Sequence, residues 1–121
     1  DRLTFEYVTA GHPAPALYLP GGTTTLEPGG GLPIGLGEGV YQSQSVQLMP
    51  GARLLLYSDG VTEVCNEQGD FFGRQRLEAE LAAAASQEPD VCLDHLLARP
   101  ETWQGSAAFE DDLSLLLLAI G

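Results

Sequence analysis

Two apolar runs, each abutted by acidic residues, constrain this chain more than any other feature. Arg53-Leu54-Leu55-Leu56-Tyr57-Ser58 is nearly continuous apolar and ends in Asp59-Gly60, while residues 113–120 form a second run directly preceded by Glu110-Asp111-Asp112. Short apolar runs of this kind read as strands covered on both faces of a sheet. The second run is also far short of the roughly 20 residues that a membrane-crossing helix needs. If the two strands are antiparallel neighbours, the end of one lies beside the start of the other. Asp59 and Asp111, 52 positions apart in the sequence, would then meet at one sheet edge.

The rest of the chain supplies the remaining elements. Leu3-Thr4-Phe5-Glu6-Tyr7-Val8 alternates apolar and polar residues with the period of a half-buried strand, and Gly11-His12-Pro13 breaks it. Ala16-Leu17-Tyr18-Leu19 and the β-branched Thr23-Thr24-Thr25 flank the turn Pro20-Gly21-Gly22, which predicts a hairpin. A glycine-dense stretch around residues 28–37 carries no basic residue and no phosphate-binding G-x-x-x-x-G-K-[ST] pattern, so it reads as a pliable connector. Val46-Gln47-Leu48 predicts another strand, closed by Pro50-Gly51. Residues 74–85 change to a helical pattern, with Leu77 and Leu81 one turn apart and good helix formers throughout. Pro89 suits the first position of a second helix, whose Leu93 and Leu97 share a face and which should stop by Arg99-Pro100.

Strands with hairpin-length connections, then two helices, then one strand predict an α+β fold. Antiparallel β-sheet layers carry the two helices on one face, and the last strand inserts beside the one ending at Asp59. The Ala82-Ala83-Ala84-Ala85 tract reads as part of a helix laid on the sheet rather than against a partner helix, although a homodimer stays open.

Composition narrows the function classes. Seventeen acidic residues against five basic ones give a net charge of −12 in 121 residues, which excludes a general nucleic-acid binder. A hydrophobic fraction of 44% separates the chain from compositions that stay disordered. The length suits one domain. The start at Asp1-Arg2 has no initiator Met and no signal-peptide core, and it reads as a piece of a longer polypeptide. Cys65 and Cys92 form no CxxC pair, so reduced thiols and a cytoplasmic location are expected. With His12 and His95 as the two histidines, a zinc-centred site is disfavoured, and no G-x-S-x-G elbow supports a serine hydrolase.

The acidic pairs have ordinary explanations when taken singly. Asp59-Gly60 is a common turn pair, and Asp111-Asp112 can be a solvated loop or a guard against strand aggregation. Taken together they suggest a site for a hard divalent cation, because like charge gathered at one edge is costly unless neutralised. His12, between Gly11 and Pro13, can be a local hydrogen-bonding residue of a turn or a catalytic one.

Five blocks carry a family resemblance. They are Ala10-Gly11-His12-Pro13-Ala14-Pro15, Gly31-Leu32-Pro33-Ile34-Gly35-Leu36, Pro50-Gly51-Ala52-Arg53-Leu54-Leu55-Leu56-Tyr57-Ser58-Asp59-Gly60-Val61-Thr62-Glu63, Phe72-Gly73-Arg74-Gln75-Arg76-Leu77 and Asp111-Asp112-Leu113-Ser114-Leu115. In this order and spacing the chain resembles the bacterial SpoIIE/RsbU-type serine phosphatases, a branch of the metal-dependent PP2C (PPM) superfamily with an α-β-β-α sandwich fold. The resemblance implies hydrolysis of phosphoserine or phosphothreonine on a protein at a binuclear Mn²⁺ or Mg²⁺ centre, where a metal-bound water attacks phosphorus in line. It assigns metal ligation to Asp59 and Asp111, a supporting role to Asp112, and a place at the same site to Gly60. His12 belongs to a family hallmark block and enters as a candidate catalytic residue. Ser58 and Ser114 stand where threonine is commoner and keep the hydroxyl.

The chain departs from the family pattern in what precedes residue 1. The acidic blocks near G-D-x-x-D and D-x-x-G-H-G, with the metal-bridging aspartate, have no counterpart, so residues 1–121 match the C-terminal portion of the domain. Two or three carboxylates cannot alone hold two six-coordinate ions, and the isolated chain is expected to be inactive or nearly so. The resemblance also implies a phosphorylated STAS-domain anti-sigma-factor antagonist as substrate, and a sensor or response-regulator receiver domain upstream. The alternative is an inactive phosphoprotein-binding or dimerisation scaffold.

Overall fold

The computed structural model describes residues 3–8, 13–26, 43–105 and 113–121. Among these, six strands and three helices follow in the order β1 (Leu3–Tyr7), β2 (Ala16–Leu19), β3 (Gly22–Thr25), β4 (Gln44–Leu48), β5 (Arg53–Tyr57), α1 (Asp59–Thr62), α2 (Gly73–Ala84), α3 (Pro89–Gln104) and β6 (Leu115–Ala119). All strand pairs are antiparallel. A two-stranded sheet joins β1 to β4, and a four-stranded sheet runs β3-β2-β5-β6. The fold is α+β, as the segregation of helices predicts.

Alternation along β5 places it at the centre of the molecule. Leu55 and Tyr57 face one way, into a core shared with Val61 of α1, Leu77 and Leu81 of α2, and Cys92 and Leu96 of α3. Leu54 faces the other way, against Leu17, Leu48, Ala52 and the partly buried Phe5, Tyr7 and Val46 of the two-stranded sheet. Leu54 and Leu55 are both fully buried, which is why this strand reads as continuous apolar sequence. Each such leucine contributes about 1.5–3 kcal/mol by leaving water, so β5 is the strand around which the layers assemble.

The β2–β3 hairpin forms at the predicted place, with Ala16 opposite Thr25 and Leu19 opposite Gly22. The final strand inserts beside β5, with Arg53 opposite Ala119 and Tyr57 opposite Leu115. It is covered on one face only. Leu115 and Leu117 pack toward the helices, whereas Leu116 and Leu118 are 55% and 41% exposed. Among the described residues the core on the side of the two-stranded sheet takes no side chain from β6, so the expectation of a strand buried on both faces fails there.

Helix α3 also departs from the sequence expectation, running through Pro100 to Gln104 instead of stopping at Arg99-Pro100. Its buried stripe is Cys92, Leu96, Pro100 and Gln104, with Leu93 and Leu97 half-buried beside it. Proline inside a helix forfeits a backbone hydrogen bond at a cost of about 3 kcal/mol. Here the ring is fully buried, and the following turn is anchored from outside the helix. Trp103 Nε1–H donates to the Asp70 carbonyl at 2.9 Å, and its ring meets Phe72 edge-on. Arg76 lies 4.1 Å over the Trp103 ring. Gly105, at φ 72°, then ends the helix. Helices α2 and α3 are further joined through Glu80, which accepts from His95 Nε2 at 2.5 Å and Arg99 Nε at 3.1 Å.

Candidate metal-binding edge

Asp59 stands where β5 becomes α1. It is the first residue of a four-residue helix, and its side chain is exposed. No side-chain hydrogen bond or ion pair engages its carboxylate among the described residues. The sequence expectation of a sharp turn at Asp59-Gly60 is thus met by one turn of helix, in which the Glu63 amide donates to the Asp59 carbonyl at 2.9 Å. Val61 anchors the turn in the helix-side core.

The β5–β6 pairing continues one residue past Tyr57 opposite Leu115. Ser58 N–H donates to the Ser114 carbonyl at 3.0 Å, and Ser114 N–H donates to Ser58 Oγ at 3.1 Å. Asp59 therefore directly follows the last residue bonded across to the β6 side, Ser58, whose partner Ser114 comes two residues after Asp112 in the sequence. His12, Asp111 and Asp112 lie outside the described residues, and so does the glycine-dense stretch 28–37. Of the predicted site residues, the structure describes Asp59 and Gly60. Both lie at the rim where β5 ends.

Among the described residues no group of three His, Cys, Asp or Glu could hold a metal ion. Asp59 by its chemistry fits as one hard oxygen ligand for Mn²⁺ or Mg²⁺, exposed and uncommitted to another partner. A cavity among the described residues lies elsewhere. About 610 Å³ in volume, it is bounded by Asn66, Phe72, Arg76, Arg99 and Trp103 and does not include Asp59.

Two residues matter more to this edge than their sequence suggests. Arg74 of α2 donates through Nη2 to the carbonyls of Pro15 and Leu26, each at 3.1 Å, and pairs with Glu78 at 2.6 Å. Pro15 precedes β2 and Leu26 follows β3, so one guanidinium closes the open end of the hairpin just after the Gly11-His12-Pro13 block. Its neighbour Gly73, at φ 84°, lets the chain turn into α2 with a backbone that side-chain-bearing residues rarely adopt. Ser58 is the second such residue. Both stand in the quoted blocks, but their partners are remote in sequence, so spacing carries no signal for them.

Tyr57 lies under this edge, 3% exposed. Burial raises its phenol above the ordinary 10.0. The Arg74 guanidinium pulls the value back, and the carboxylates of Glu78 and Asp59 push it further up. The folded state therefore holds the proton more tightly than the unfolded chain. The resulting stabilisation is fully present below pH 10 and is lost as pH rises through the higher folded value. Urea unfolding at pH 8 and pH 11 should show a steeper loss of stability for the wild type than for Tyr57→Phe. Equal losses would show that Tyr57 does not contribute.

An antiparallel sheet pair with helices packed on one of its outer faces fits part of the α-β-β-α sandwich that the resemblance implies. The model of the family described as Stage II sporulation protein E (SpoIIE) matches residues 1–121, and the chain belongs to that family. Protein IcfG of Synechocystis sp. is 31% identical over 110 residues, covering 88% of this chain and 17% of that protein. Among solved structures, the RsbU and RsbW domains of a Mycobacterium tuberculosis protein superimpose with a TM-score of 0.75 at 30% identity, covering 94% of this chain and 31% of that one. The SiaA PP2C domain of Pseudomonas aeruginosa gives 0.74 at 26% identity, covering 90% and 44%. The PP2C phosphatase domain of SpoIIE from Bacillus subtilis, solved with a fragment of its regulatory domain, gives 0.75 at 20% identity, covering 94% and 33%, and it shares the fold. The chain thus spans less than half the length of each of these proteins. Family and fold together make it part of a phosphatase domain of the PP2C kind. Among the described residues, no helix is long and apolar enough to cross a membrane.

Proposed function

We propose that residues 1–121 form the C-terminal portion of a metal-dependent protein serine/threonine phosphatase domain, with Asp59 and Asp111 as metal ligands and Asp112 and Gly60 supporting them. The observation that carries this reading is the β5–β6 register. In it Ser58, which directly precedes the exposed Asp59, is bonded to Ser114, two residues after Asp112 in the sequence. His12 is proposed as a further site residue, because its block leads into the segment that Arg74 holds against α2.

When bound, Mn²⁺ or Mg²⁺ supplies neutralisation of phosphate oxygens and activation of water. The chain's own contribution is to hold Asp59 directly after a strand whose antiparallel neighbour follows Asp111-Asp112 in the sequence. At −12 the protein repels a phosphoprotein, so this rim suits a phosphate only once cations reverse the local sign. The substrate is proposed to be phosphoserine or phosphothreonine on a regulatory protein, a STAS-type anti-sigma-factor antagonist. The chain is proposed to be the cytoplasmic output part of a longer protein with a sensor or receiver domain. That the RsbU domain of the Mycobacterium tuberculosis protein is joined to a further domain supports a place in a longer chain.

The test is hydrolysis of p-nitrophenyl phosphate and of a phosphoserine protein by the full-length protein. Activity should be lost on chelation and restored by millimolar Mn²⁺. Turnover that persists undiminished in excess chelator would overturn the metal-dependent reading.

A further inference from the structure

Ser58 sits at the helix-entry position of α1, where a serine hydroxyl ordinarily accepts from the first turn of the helix. It makes no such cap. Its carbonyl accepts the Val61 amide at 3.0 Å, and its hydroxyl accepts the Ser114 amide at 3.1 Å. In an antiparallel hydrogen-bonded pair the carbonyl of each residue accepts from the amide opposite. At Ser58 the carbonyl has turned away to serve α1, and Oγ takes its place in the ladder. The chain can then begin a helix at Asp59 without ending its pairing to β6. Alanine, valine or glycine cannot do both, because the second acceptor is on the side chain.

We infer that Ser58 is a positioning residue for the proposed metal ligand Asp59: by substituting its hydroxyl for a ladder carbonyl, it keeps the end of β5 bonded to Ser114, just before β6, while α1 begins, and so fixes where Asp59 leaves the sheet. This inference rests on the phosphatase reading of Asp59 and adds a residue that touches neither metal nor phosphate. Threonine retains the same acceptor and should replace serine without loss.

The test uses the full-length protein in three forms, wild type, Ser58→Ala and Ser58→Thr. Mn²⁺ affinity is measured by titration calorimetry, and exchange of the Ser114 amide is followed by hydrogen–deuterium methods. Loss of one hydrogen bond should weaken Mn²⁺ binding by about five- to ten-fold in Ser58→Ala and speed Ser114 exchange by a similar factor. Ser58→Thr should restore both. A merely structural role would lower the melting temperature and leave the affinity of the folded protein unchanged. Equal Mn²⁺ affinity in wild type and Ser58→Ala overturns the inference while leaving the phosphatase reading in place. So does unchanged Ser114 exchange. A wild type that binds no Mn²⁺ overturns the phosphatase reading and the inference with it.

Discussion

On the proposed metal-dependent reading, Asp59→Asn is expected to lower the Mn²⁺-dependent kcat/KM of the full-length protein by about 100-fold or more while leaving the fold intact. A metal ligand contributes several kcal/mol of charge stabilisation, and each 1.36 kcal/mol is a factor of ten in rate. Asparagine keeps the shape and one carbonyl oxygen but removes the charge that competes for a hard cation. Stability should barely change, because the side chain is exposed and engages no partner among the described residues. Its contribution to a single-turn helix is at most a few tenths of a kcal/mol, through the first-turn charge. Kinetics and thermal unfolding of the same preparation separate the two effects. Activity within a factor of three of wild type would remove Asp59 from the metal site, and a large fall in melting temperature would make the loss structural.

The sequence made the central part of this edge legible and hid the rest for identifiable reasons. Leu54 and Leu55 both face protein, so β5 appears as an unbroken apolar run with its end marked by Asp59. The neighbouring β6 has the same apolar signature, yet Leu116 and Leu118 face outward, and among the described residues no second layer packs on that face of the strand. Apolar sequence reports what a strand can bury, and whether it is buried depends on another layer. Pro100 misleads in the opposite direction. A local rule places the helix end there, and contacts from Trp103 to Asp70 and Phe72, over thirty residues away, override it. The pairing of β1 with β4 joins segments 41 positions apart, Phe5 opposite Val46, and no turn between them announces it. The candidate site follows the same division. Asp59 was visible as a carboxylate at a strand end. The hydroxyl of Ser58, acting 56 positions away, becomes visible once the register is known.

Arg74→Ala is expected to destabilise the protein by about 2–4 kcal/mol, because three acceptors lose their partner at once. The carbonyls of Pro15 and Leu26 each accept from Nη2, and Glu78, 13% exposed, accepts from Nε at 2.6 Å. Removing one member of a charge-assisted cluster leaves the others desolvated, which costs more than the net worth of each bond. For a chain of this length the loss corresponds to a fall of roughly 6–15 °C in melting temperature. Arg74→Lys keeps the charge but offers a point donor in place of a fork, and it should recover about half of the loss, through Glu78 or one carbonyl but not all three. Combining Arg74→Ala with Glu78→Gln should cost less than the sum of the single changes, since the two side chains are paired in the wild type and each single change removes the same bond. The hairpin end bears on function as well. Pro15 closes the block that contains His12, so a loosened Arg74 clamp should lower activity at temperatures where the variant is still folded, and Arg74→Lys should again fall between. A melting temperature within 3 °C of wild type for Arg74→Ala would show that water replaces the guanidinium without loss and that the hairpin is held closed by its own pairing.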